Sequence, residues 1–151
     1  MSGHSNHSAR GNGPKALLER ADHLLVAAQA ETDPVERFLT AYLAALRGAA
    51  VVIALSAHGT TRRRAGGAWA TMTRLAPEFT MWADYFADHS QLRASIMAGV
   101  RRPLSSVQAD EFCARVIAFL HDVEDHLEAT GHATSAARWN GSGFFAGGLT
   151  A

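Results

Sequence analysis

Apolar side chains recur at three- and four-residue intervals through most of the chain between residues 15 and 128, which is the period of an amphipathic helix. The first stripe joins Leu17, Leu18, Ala21, Leu24, Leu25 and Ala28 and predicts a helix from about Lys15 to Glu31. The stretch "TDPVE" then stops one helix and starts another. Asp33 can cap, Pro34 suits a first helical position, and Glu36 stands three residues after the cap. Val35, Phe38, Leu39, Tyr42, Leu43, Leu46, Ala49, Ala50 and Ile53 line the second helix. Its second half, "GAAVVIALSA", is apolar on every side, so it predicts a central strut buried from several directions.

Past residue 57 the pattern shortens. Trp69, Met72, Leu75 and Ala76 mark a short helix, and Pro77 disfavours helical geometry at Ala76 while suiting the start of another. Phe79, Trp82, Ala83 and Phe86 form the inner face of that next helix. "ADHS" is expected to break it before a weak helix over Gln91–Ala98, which Gly99 ends. The last long helix is expected from near Val107, with Ser105 and Gln108 at capping-box spacing, and with Gly131 as its stop. Phe112, Val116, Phe119, Leu120, Val123 and Leu127 line its inner side.

No stretch alternates as a strand does. The fold class is therefore all-α, an antiparallel up-down bundle of four to five helices over residues 14–130. Residues 1–13 and the Gly-rich 131–151 lack periodicity and are expected to be flexible tails. Trp69, Phe79, Trp82, Phe38 and Leu120 are expected in the core, and the aromatic spacing suits packing better than a platform for stacking bases.

Composition narrows the function classes. The 151 residues carry a formal net charge of +0, so any attraction to polyanions must be local. A single cysteine, Cys113, excludes an internal disulfide and a cysteine-based zinc site. The opening residues lack the apolar run of a secretory signal, and "AAVVIAL" is too short to span a bilayer, so the expectation is a cytoplasmic protein without membrane contact. Serine-hydrolase and phosphate-loop motifs are missing, and no cofactor is expected.

The long helix, the arginine-rich gap, "AWATMTRLAPEFTMWADYFA" and the final capped helix follow one another in a telling order. This order resembles the HEPN superfamily of small helical bundles, and within it a small stand-alone actinobacterial family, over roughly residues 15–128. The resemblance implies a compact bundle that can pair as a homodimer. The superfamily holds both ribonucleases and non-catalytic binding domains, so the resemblance alone implies no activity.

Two sets of residues could carry function. HEPN ribonucleases resemble one another in an Arg followed four to six residues later by His, and Arg115 and His121 in "RVIAFLH" fit that spacing. Histidine exchanges protons near neutral pH and arginine holds phosphate. A chain with this many Arg and His residues matches so loose a pattern by chance, however, and Val116 replaces the polar neighbour. The second set is Arg62, Arg63 and Arg64 in one inter-helix gap with Arg101 and Arg102 in another, which could hold RNA or nucleotide phosphates. "HDVEDH" at 121–126 offers i, i+4 pairs to a metal but no third ligand, and reads as a solvated face. The leading expectation is a non-catalytic binding or interaction module. A metal-independent ribonuclease and a helical protein–protein adaptor are the alternatives.

Overall fold

The computed structural model describes residues 13–57, 66–100 and 104–143, with 140–143 as backbone only. Among the described residues five α-helices follow one another: α1 Pro14–Ala30, α2 Pro34–Ser56, α3 Gly67–Leu75, α4 Thr80–Met97 and α5 Ser106–Gly143. A 3-10 turn, Pro77–Phe79, joins α3 to α4. The described residues contain no strand.

The boundaries form where the local chemistry demands them. The Asp33 carboxylate accepts from the Val35 N–H at 3.2 Å, and Pro34 occupies the first position of α2. At the start of α5 the Gln108 N–H donates to Ser105 Oγ at 3.1 Å, while the Ser105 N–H donates to Gln108 Oε1 at 2.9 Å. That is a complete capping box. Past α4, Gly99 takes φ +81°, its N–H reaches Ile96 and the Val100 N–H reaches Ser95, so two orphan carbonyls are satisfied.

Helix α2 is the central strut, packing against α1, α3, α4 and α5. Phe38, Ala41, Ala44, Ala45, Ala49, Val51 and Val52 along it are fully buried. By length and composition α2 could cross a membrane, yet half of its most apolar stretch lies inside the bundle. At its crossing with α5 the chains approach so closely that only glycine fits. A Cβ on Gly48 would stand 2.6 Å from Leu120 Cδ2 and 2.8 Å from Phe119 Cε2. Phe38, Phe86 and Phe119 are fully buried in the same core. Each contributes about 1.5–3 kcal/mol by leaving water.

Trp69, Phe79, Phe38 and Leu120 lie in the core as expected. Trp82 is only half-buried, because its indole N–H reaches outward to Asp122 Oδ2 at 2.8 Å. Two boundaries also differ from the sequence reading. "ADHS" does not break α4, since Ser90 Oγ donates back to the Ala87 carbonyl and His89 Nδ1 bonds the Tyr85 carbonyl at 2.7 Å. Both polar side chains are thereby satisfied on the helix itself. Gly131 does not stop α5, which continues to Gly143. Gly131 has no positive φ, and a helical glycine costs only about 1 kcal/mol against alanine, which Ala129, Ala133, Ala136 and Ala137 offset. Residues 131–139 of this extension are all exposed.

Candidate functional site

Six residues along α5 separate Arg115 from His121, a rotation of about 120° and a rise of about 9 Å. The two side chains accordingly meet different neighbours. The Arg115 guanidinium lies 5.9 Å from the Tyr85 ring centroid, against α4. His121 is exposed and acts electrostatically on Asp22, on α1. Desolvation raises the Asp22 carboxyl above its ordinary range, and His23 and His121 partly counter that. The pair that the ribonuclease pattern joins is therefore split between two flanks of the bundle.

Away from this pair lies a groove of about 520 Å³, between α2, the start of α3 and α4. Tyr42 and Trp69 form its floor, with the Trp69 indole N–H donating to the Tyr42 hydroxyl at 2.9 Å. Gly66 and Gly67 form one rim, and their φ values of 113° and 75° place them where a Cβ would be strained. Arg93 forms the other rim, its guanidinium 5.1 Å from the Tyr42 ring centroid. Asp84, Ser90 and Thr73 complete the polar lining. The start of α3 brings backbone N–H groups and the positive end of its dipole to this rim.

Arg62, Arg63 and Arg64 lie outside the described residues, as do Arg101 and Arg102. The triplet precedes Gly66 by two to four residues in the chain, and Arg102 precedes Leu104 by two. Arg93 had no place in the sequence reading. Its place on the groove depends on the packing of α4 against α2, which no local spacing signals.

In the "HDVEDH" segment of α5, Glu124 and Asp125 are exposed, whereas two other side chains meet neighbours. Asp122 accepts from Trp82, and the His126 ring meets Phe79 edge-on at 5.2 Å with Nδ1 4.0 Å from Glu78. Among the described residues no three His, Cys, Asp or Glu side chains converge as metal ligands would. Cys113 is buried, and burial pushes its thiol up, away from the reactive thiolate. Its neighbour Arg37 is structural: it donates to the Glu31 carbonyl at 2.8 and 3.0 Å and pairs with Asp110, tying the α1–α2 turn to α5.

No curated protein and no solved structure matches the chain. The model of one family, the HEPN_SAV_6107-like HEPN domains, matches residues 28–124, from the end of α1 to the middle of α5. This is the segment that contains the α2 strut, the Trp69 helix, the Pro77 turn and the Phe119 core. An all-α bundle with that order of elements and that match belongs to the HEPN superfamily.

Proposed function

We propose that this HEPN domain is a non-catalytic cytoplasmic module that binds nucleic-acid or nucleotide phosphates through its arginine-rich segments. The observation that carries the non-catalytic reading is that Arg115 packs over Tyr85 of α4 while His121 leaves α5 about 120° away, on a flank where it is exposed. A general acid–base histidine and a phosphate-holding arginine must reach the same group, and these two leave α5 on different flanks. The phosphate reading draws its support from the groove. Arg93 faces the first turn of α3 across it, and the Arg62–Arg64 triplet enters the chain just before that turn. Backbone N–H groups at a helix start and a guanidinium are a chemistry suited to phosphate oxygens.

Pairing of two copies belongs to the same reading. Leu39, Leu43, Leu46, Ala50 and Ile53 are half-buried at alternating spacings of four and three along α2. Such a seam suits a second helix packed alongside it, and two copies can supply each other's. Sedimentation of the wild type should show a dimer that Leu43→Glu converts to monomer; a wild-type monomer at high concentration would contradict the pairing.

The catalytic question is tested by incubating labelled single-stranded RNA with the wild type and with His121→Ala. Intact RNA in both reactions is the expected result. Cleavage by the wild type that His121→Ala abolishes would replace this reading with the ribonuclease. No RNA binding at low salt would move the protein–protein adaptor to the front.

A further inference from the structure

The most apolar stretch of α2 is only half covered by the bundle, and the half-buried Leu39, Leu43, Leu46, Ala50 and Ile53 run along its open side. Three charged residues interrupt this helix. Arg37 is taken by the Glu31 carbonyl and by Asp110. Glu36 and Arg47 are exposed, and among the described residues neither has an ion-pair partner. Eleven residues, about three turns, separate these two. They therefore point within about 20° of each other and stand about 16 Å apart along the axis. One acid and one base edge the same flank of the seam.

The other flank belongs to the groove, which Tyr42 and Leu46 line from α2. Around the helix from the mean direction of the seam, Tyr42 lies about 60° to one side. Glu36 lies about 60° and Arg47 about 80° to the other. A two-fold axis can lay a second copy on this seam in two ways. With the helices parallel, the axis runs along them and sets the charged flank of each copy against the groove flank of the other, where α2 carries no charge. With the helices antiparallel, the axis stands across them and sets charged flank against charged flank. Centred between residues 41 and 42, this second arrangement brings Glu36 level with the partner's Arg47 and Arg47 level with the partner's Glu36.

We propose that two copies pair through antiparallel α2 helices in this register, with two symmetric Glu36–Arg47 ion pairs along one edge. The proposal rests on the pairing read above from the seam and adds its orientation. Leu39 and Leu43 straddle the axis and supply apolar area at the centre. Exposed ion pairs add little affinity, but opposite charges along a helical seam select orientation and register. The same axis carries each flank of α2 onto the same side of the pair. Both grooves then open on one side, and both ion pairs lie on the other.

Sedimentation equilibrium of the full chain and three variants tests the register. Both positions are exposed, so the charge reversals should leave the fold in place, as far-ultraviolet circular dichroism will report. Arg47→Glu alone, or Glu36→Arg alone, sets like charges level at two symmetric places and should weaken the dimer by about tenfold. That loss should shrink at high salt. Glu36→Arg combined with Arg47→Glu restores opposite charges and should recover the wild-type dimer. Single variants that pair as tightly as the wild type, or a combined variant as weak as either single one, would overturn this register and leave the pairing itself standing. A wild-type monomer at high concentration would remove both.

Discussion

The Trp69 indole N–H donates to the Tyr42 hydroxyl at 2.9 Å, and both side chains are buried. This bond fixes α3 on α2 and sets the floor of the groove. Tyr42→Phe would leave a buried donor without its partner, a cost of about 1–3 kcal/mol. The melting temperature should fall by several degrees, and calorimetry of the variant would show it. An unchanged melt would mean that the indole finds water instead.

Two glycines in helices should respond oppositely to alanine. Gly48 meets Leu120 and Phe119 at the α2–α5 crossing, so Gly48→Ala overpacks the core and should cost about 1–3 kcal/mol. A Cβ added at Gly131 would meet nothing within 4 Å, so Gly131→Ala should be neutral or stabilising by up to about 1 kcal/mol. Denaturant titration of the two variants checks the contrast.

Asp22 supplies a pH dependence with a definite sign. Its folded pKa is raised by desolvation, so the native state binds more protons than the unfolded state between the two values. Its contribution is therefore most favourable below the unfolded pKa and is lost as pH rises through the folded one. Asp22→Asn should flatten this decline and raise stability modestly at neutral pH. A variant whose stability falls with pH as steeply as the wild type would contradict the assignment.

Deleting residues 131–151 should leave the melting temperature within about 2 °C of the wild type, because the part of α5 from 131 to 139 is exposed throughout. A large drop, measured by circular dichroism, would show that this extension docks.

The core was legible because its signal is a period. Leu18, Ala21, Leu25 and Ala28 on α1, and Phe112, Val116, Phe119 and Val123 on α5, repeat at helical spacing and are buried. The capping box at Ser105 and Gln108 was legible for the same local reason. "ADHS" misled because whether Ser90 and His89 satisfy themselves on their own helix depends on rotamers that composition does not encode. Trp82 misled because its apolar body and polar N–H pull in different directions, and Asp122 decided the outcome from forty residues away. The split between Arg115 and His121 could be anticipated from helix rotation, but their partners Tyr85 and Asp22 are set by tertiary packing. The groove was hidden altogether. It is set by how successive helices pack on one another, which the period of a single helix does not encode.

The salt dependence of single-stranded RNA binding tests the phosphate-binding account most directly, compared between the wild type and the variant with Arg62, Arg63 and Arg64 all changed to alanine. Each phosphate that the variant no longer neutralises should reduce the slope of log affinity against log salt by about 0.7, so three arginines should flatten it by about 2. Parallel slopes for the two proteins, or no RNA binding by the wild type at low salt, would contradict it.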